Sequence, residues 1–311
     1  MPVVLSIIIP TKDRNDIFFK TLKNAYSAIA DIDAEIIVIN DSRTNTIEVD
    51  ALYQSKVIVY RNPKRGVASA RNLGAAKAKA NLLLFLDDDM LISQQNIQTT
   101  LKLHQAYNNC CINLNWIYPP HLTEKIVHTQ FGRYLIHYGF TSLKGWNKGE
   151  FWSNDHLFKT SGITSQYLSM EKKIFDEMGG YSENFPHAGF EDFEFAQRLK
   201  QKDINFYIYP LSMVHHNEED RLQVKPWLQR KKRGGETRRV AVEMGFNYIA
   251  IRYSSFKTFI LSSIVFFKSI IMVGISILPN VKLLDGVYFK LVNILLAAAI
   301  FEGYTTKKLN N

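Results

Sequence analysis

The sequence predicts an α/β fold: a mostly parallel central sheet with helices on both faces, followed by a C-terminal helical, membrane-associating segment. Three observations predict it. In the N-terminal part, short runs of β-branched and aliphatic residues alternate with helix-patterned stretches, as in sheets covered on both faces. Hydrophobic residues are 46% of the 311 and charged residues 22%, which suits a packed core and excludes a disordered chain. Two long apolar stretches follow a basic segment near the C-terminus.

In chain order, VVLSIIIP is a buried strand that Pro10 ends. DIFFKTLKNAYSAI places Ile17, Leu22, Ala25 and Ile29 at helical spacing. AEIIVIND is a second strand ending at Asp41, KVIVYRN a third, GVASARNLGAAKAKA an Ala-rich helix and NLLLFLDDD a fourth strand. Beyond residue 110 the pattern loosens and aromatics such as Trp116, Trp146 and Trp152 become frequent. FKTSGITSQYLSMEKKIFDEMGGY reads as strand, short helix and Gly-Gly turn; FEDFEFAQRLKQKD as an amphipathic helix; INFYIYP as a strand leading into MVHHNEED. This organisation gives an α/β domain at 1–222, divided into halves at 1–110 and 111–222, a basic helical segment at 223–257 and a hydrophobic helical segment at 258–311.

The formal net charge is +9, and nine Lys or Arg against Glu236 and Glu243 concentrate +7 of it between Lys225 and Lys257. Such a block suits anionic headgroups or phosphorylated substrates; its plainer reading is a solvated basic helix. The stretch at 258–279 is interrupted by Lys268, and the one at 286–301 is short and carries Lys290 and Asn293. Spanning takes about 20 apolar residues, and a central charge costs about 3 kcal/mol. Interfacial helices with snorkelling lysines are therefore preferred over a spanning hairpin or packing on the protein itself. The expected location is the cytoplasmic face of the plasma membrane, peripheral or monotopic, with the membrane surface contacted through 225–301. No nucleic-acid partner is expected. The two cysteines, Cys110 and Cys111, are adjacent, which argues against a disulfide framework and a thiolate zinc site. MPVVLSIIIPT lacks a basic n-region and is not expected to be a signal peptide.

Ligands bind such sheets beyond the C-terminal strand ends. Those ends carry Thr11, Asp13 and Arg14, then Asp41, then Asp87, Asp88 and Asp89. Three adjacent carboxylates at the edge of a core call for a counter-charge, and Mg²⁺ or Mn²⁺ fits where water and phosphate complete the shell. Solvated surface acids are the plainer reading. In the later helix, Asp192, Phe195, Ala196 and Leu199 follow i, i+3, i+4, i+7, which aligns Asp192 with the apolar face and turns Glu191 about 100° away. That makes Asp192 a candidate general base held partly out of water. His215 and His216 leave the last strand and offer a metal ligand; a structural pair is the alternative. Gly66 allows close backbone approach at a helix start, flanked by Lys64, Arg65 and Arg71.

Together, SIIIPTKDR, IIVINDS, GVASARNLGAAKAKANLLLFLDDDM and GFEDFEFAQRL resemble the family 2 glycosyltransferases of GT-A fold, over roughly residues 4 to 220. The part from Thr160 to Leu199 also resembles the acceptor-side half of galactosyl- and chondroitin-type transferases. The resemblance implies an inverting, metal-dependent transfer of one sugar from a nucleoside-diphosphate sugar, UDP by default, to a hydroxyl of a glycan or lipid-linked acceptor, in bacterial surface polysaccharide synthesis. It implies that Pro10, Thr11, Arg14 and Asp41 hold the nucleoside, with Gly66 and Arg71 also on the donor side. Asp87 or Asp88 would lie near the ribose, Asp89 would ligate Mn²⁺ or Mg²⁺ with His216 (or His215), and Asp192 would be the base, supported by Glu191. A nucleotidyltransferase would want a glycine-rich loop after the first strand, and IPTKDRND has no glycine. A non-catalytic sugar-binding protein with a decayed site would not need Asp87, Asp89, Asp192 and the His pair. VKPWLQRKKRGGETRR lacks the QxxRW motif of processive members, so a single addition per encounter is expected.

Overall fold

The computed structural model describes residues 2–306. The first half runs β1 (Leu5–Thr11), α1 (Asn15–Ala28), β2 (Ala34–Asn40), β3 (Val57–Arg61), α2 (Val67–Lys77), β4 (Leu82–Leu86), β5 (Met90–Leu91), α3 (Gln94–Ala106) and β6 (Cys110–Ile117). Helices α4 (Pro120–Val127), α5 (Gln130–His137) and α6 (Leu143–Trp146) come next, then β7 (Phe158–Lys159), β8 (Tyr167–Glu171), α7 (Lys172–Glu177), α8 (Glu191–Lys200) and β9 (Asn205–His216). The chain ends in α9 (Val224–Glu243), α10 (Ser255–Ile277) and α11 (Asp285–Thr305).

It forms two compact units. The first comprises Met1–Pro119, Thr141–Asn184 and Glu191–Glu218. Its nine-stranded sheet has the order β3-β2-β1-β4-β8-β6-β9-β5, with β7 beside β9. The α/β class is as the sequence predicts. The sheet is mixed, however: β1 is parallel to β2 and β4, and β2 to β3, whereas β8 runs antiparallel to both β4 and β6. All residues of β1, β2 and β4 are buried, because helices cover both faces there. Gly74 of α2 has no side chain to hold the helix away from Ile8 of β1.

Pro10 does not end β1, which continues to Thr11. The Asp41 N–H donates to the Thr11 carbonyl (2.9 Å), so Thr11 faces β2 and Pro10 faces β4. The β1–β4 ladder stops at Ile8, so no hydrogen bond is lost at the proline.

One direction matters for function. β8 is antiparallel to β4, so the start of β8 lies beside the end of β4, with Tyr167 opposite Leu86. β9 is parallel to β6, and its last residues, His215 and His216, pair with Leu91 and Met90 of β5. The ends of β1, β2, β4 and β9 and the approach to β8 thus share one sheet edge.

The second unit comprises Pro120–Phe140, Phe185–Phe190 and Glu219–Asn311. Segments 120–140 and 185–190 thus group with the C-terminal helices. The reason is apolar packing: Phe131, Tyr134 and Leu135 of α5 share a core with Val224 and Trp227 of α9, Ile275 of α10 and Val292 and Leu295 of α11. α11 is longer than its apolar stretch suggested. Ser255–Ile277 and Lys282–Thr305 are both long and apolar enough to cross a membrane by length and composition. Gly303 of α11 lies directly against the Lys232 carbonyl of α9, and Gly235 of α9 against the Ile300 carbonyl. A Cβ at Gly303 would overlap backbone, which cannot yield. We expect Gly303→Ala to destabilise this unit by up to about 3 kcal/mol, read from its denaturant unfolding midpoint.

Candidate active site

The carboxylates predicted at the strand ends lie at that one edge, and each has a distinct environment. Asp88 is buried and accepts hydrogen bonds from Thr11 Oγ1 (2.7 Å) and Arg14 Nη1 (2.5 Å). The same Arg14 nitrogen reaches Asp89 Oδ2 at 2.9 Å. Burial and the neighbouring Asp89 raise the Asp88 pKa above the usual carboxylate range, with Arg14 and Thr11 opposing. Asp88, Thr11 and Arg14 therefore engage one another and tie the end of β1 to the end of β4. Asp41 is likewise buried, accepting from Asn62 Nδ2 (2.7 Å) and the Gly66 N–H (3.2 Å), with Lys12 Nζ 3.6 Å away. Gly66 has a φ of 108°, a backbone state that side chains disfavour, and this turns its N–H toward Asp41.

Asp89, His216 and Glu218 converge. His216 Nε2 stands 3.4 Å from Asp89 Oδ1 and 3.6 Å from Glu218 Oε1, and the three donor atoms lie within 4.8 Å of one another. Ligands about 2.1 Å from a shared cation stand about 3 Å apart at right angles, so this buried N,O,O set fits a divalent ion. Tyr118 donates from its hydroxyl to Glu218 Oε2 (2.9 Å), holding that carboxylate in place. Burial pulls the His216 pKa down, but Glu218 and Asp89 outweigh it and the net shift is upward. Strand alternation separates the histidine doublet: His216 is buried beside Asp89, and His215, half-buried, points to the other face.

Arg71 links Asp87, just past the end of β4, to α8. This buried guanidinium donates to Asp87 Oδ1 (2.8 Å) and Glu191 Oε1 (3.0 Å) and stands 4.0 Å from Asp192 Oδ1. Burial works to lower its pKa, yet Asp87, Asp192 and Glu191 raise it overall. The expected division of the two α8 acids is corrected here. The Glu191 side chain is 3% exposed, whereas that of Asp192 is 24% exposed. A hydrophobic face predicts burial only for apolar partners; a buried cation draws Glu191 inward. Asp192 is held by Ser165, whose backbone N–H donates at 3.0 Å and whose hydroxyl makes a second, short hydrogen bond. The Tyr181 hydroxyl lies 2.6 Å from Ser165 Oγ. Burial and Glu191 raise the Asp192 pKa, against the pull of Arg71 and Ser165. Asp192 is thus a fixed, partly exposed carboxylate with raised proton affinity.

Glu218, Tyr118, Ser165 and Tyr181 were not predicted. Glu218 had a legible signal, since His216 and Glu218 are two residues apart and share a face in extended chain. The others had none, because their roles depend on which strands pair.

The model for "Glycosyltransferase like family 2" matches residues 6–233. An uncharacterized glycosyltransferase of Haemophilus influenzae is 26% identical over 201 residues, covering 64% of this chain and 63% of the relative. The chondroitin synthase of Escherichia coli is 24% identical over 237 residues, covering 69% of this chain and 34% of the relative. The chain therefore spans less than two thirds of the length of either. Among solved structures, a mannosyltransferase from Pyrobaculum calidifontis in complex with GDP-Man and Mn²⁺ shares the fold, with a TM-score of 0.55, 13% identity, and coverage of 98% of this chain and 88% of that one. The carboxylate-lined sheet edge, the GT-A-like sheet and the family match over most of the chain lead to one assignment: this protein belongs to the glycosyltransferase-like family 2.

Proposed function

We propose that this enzyme transfers a single sugar, with inversion, from a nucleoside-diphosphate sugar, UDP-linked by default, to a hydroxyl of a glycan or lipid-linked acceptor in bacterial surface polysaccharide synthesis. The observation that supports this reading is the Arg71 bridge, one buried cation between Asp87, taken as the donor-side acid, and Asp192, taken as the acceptor-side acid. In the reaction, Asp192 takes the proton of the acceptor hydroxyl. The acceptor oxygen forms its bond to the anomeric carbon, and the bond from that carbon to the diphosphate oxygen breaks on the opposite face. Arg71 offers positive charge toward the leaving side. Asp89, His216 and Glu218 would hold Mn²⁺ or Mg²⁺, which would neutralise diphosphate charge when bound. Thr11, Arg14 and Asp41, with Pro10 beside them, would shape the nucleoside pocket, and Asp87 would meet the ribose. Asp88 would serve by fixing Arg14 and Thr11.

The catalytic unit would work at the cytoplasmic face of a membrane, with the basic α9 and the apolar helices at the surface. The test is a panel of UDP-, GDP- and dTDP-sugars assayed for divalent-metal-dependent hydrolysis, followed by NMR of the transferred anomer. An α-linked donor giving a β-linked product is expected; retention, or no donor hydrolysed with any metal, overturns the reading. Tyr118→Phe should raise the Mn²⁺ concentration for half-maximal activity by about 10- to 100-fold, the usual cost of losing a partner behind a metal ligand. A metal titration of the variant checks it.

A further inference from the structure

The second unit fixes how such a surface contact is made. α10 is apolar along its whole length, yet only Leu261 and Ile275 are buried. Its exposed face carries Phe256, Phe259, Phe266, Ile270, Val273 and Ile277, spaced by three, four or seven residues so that they share one side of the helix. That is one hydrophobic stripe broken by Ser263, far beyond the isolated exposed apolar residues of an ordinary surface.

Length alone would let α10 cross a bilayer, but an ionic cluster forbids it. Lys268 Nζ binds both carboxylate oxygens of Glu302 on α11 (2.9 and 3.0 Å), and Glu302 also accepts from Lys232 Nζ of α9 at 2.8 Å. At 1.5 Å per residue, Lys268 lies about 20 Å from Ser255, close to the helix middle. A perpendicular α10 would therefore draw Glu302, Lys232 and the RKKR run of α9 at 230–233 to mid-bilayer depth. One lysine can snorkel; a basic helix cannot. α11 is equally committed away from lipid. Asp285 at its start pairs with Arg133 (2.6 and 2.7 Å), Asn293 in its middle bonds Tyr134 and Tyr138, and Glu302 near its end bonds Lys232.

We infer that α10 lies in the plane of an anionic lipid surface, its phenylalanine-rich stripe sunk among the acyl chains while α11 and α9 stay on the aqueous side. The occupant follows from charge and side-chain type. Exposed Arg252, Lys257 and Lys282 flank the stripe at both ends, where anionic headgroups would sit. A seam with a second copy would bring these like-charged ends against each other, whereas anionic headgroups complement them.

The inference rests on the membrane-surface reading only for its occupant, and the experiment separates the two. In inverted membrane vesicles from expressing bacteria, Leu283→Cys, in the exposed connection between α10 and α11, should react with an impermeant maleimide without detergent. Labelling only after lysis would mean that the hairpin crosses, and would overturn the in-plane assignment while leaving membrane association standing. Purified protein should float with phosphatidylglycerol vesicles, and Phe256→Ser/Phe266→Ser/Ile270→Ser should weaken that binding by about 100-fold, since each lost side chain forfeits substantial apolar burial. The triple variant should keep donor hydrolysis in detergent, which shows that it folds. Wild-type protein that ignores vesicles and dimerises through the stripe, monomerised by the same substitutions, would overturn both readings of this unit without touching the catalytic one.

Discussion

Asp192→Asn should lower transfer by about 10²- to 10⁴-fold, the range that a positioned general base supplies. Nucleotide-sugar affinity should survive, because Asp87 keeps its own contact with Arg71 Nη2 while Asp192 stands 4.0 Å from Nη1. Calorimetry with the nucleoside diphosphate and Mn²⁺, beside product formation, checks both halves; transfer that persists removes Asp192 from the base role. Its raised pKa adds two pH signatures. The base must be ionised, so the acidic limb of kcat/KM should lie above the ordinary carboxylate range near 4 and vanish in the variant. Stability runs the other way. Between the unfolded and folded pKa values the folded state holds more proton, so stability falls as pH rises through that window. The substituted amide carries no charge to desolvate, so the dead variant should be no less stable than wild type at neutral pH.

Arg71→Met should be the most destabilising single change at the site, costing about 3–5 kcal/mol by leaving buried Glu191 without its cation. Donor binding should weaken as well, because Asp87 loses its partner. Adding Glu191→Leu should restore much of the stability, since a buried ion pair exchanged for packed apolar groups is often neutral. It should not restore transfer. Urea unfolding of the two variants, with the activity assay alongside, decides this. A single substitution that unfolds like wild type would mean that Glu191 is solvated or protonated without Arg71.

The sheet and its edge were legible because burial writes itself plainly into composition. LSIIIPT, AEIIVIN and LLLFL can only be strands covered on both faces, and the charged residues just past each strand end mark the edge. The acids themselves were legible as residues but not as environments. Asp88 looks like its neighbours in sequence, and only the β1–β4 pairing hands it to Thr11 and Arg14. Helical periodicity assigned Asp192 to the buried face, yet Arg71 on α2 chose Glu191 instead. Periodicity sees one helix at a time; a salt bridge between distant elements is invisible to it. Pro10 misled for a related reason, since whether a proline breaks a strand depends on whether a neighbour needs its N–H. The second unit was hardest, because α5 sits far from α9 and α11 in sequence and only a shared apolar core joins them.

The pairing of β5 with β9 also sets a clock. Met90 meets His216 only after the whole stretch between them has folded back, a large loop to close before any contact rewards it. Strands β1 to β4 are available for pairing early in synthesis, but Asp89 waits for its distant partners. The proposed cation site is therefore completed only at the end of the folding route. An ion that bound only the finished arrangement would act as a latch: it would leave the rate of refolding unchanged and slow the escape from the native state.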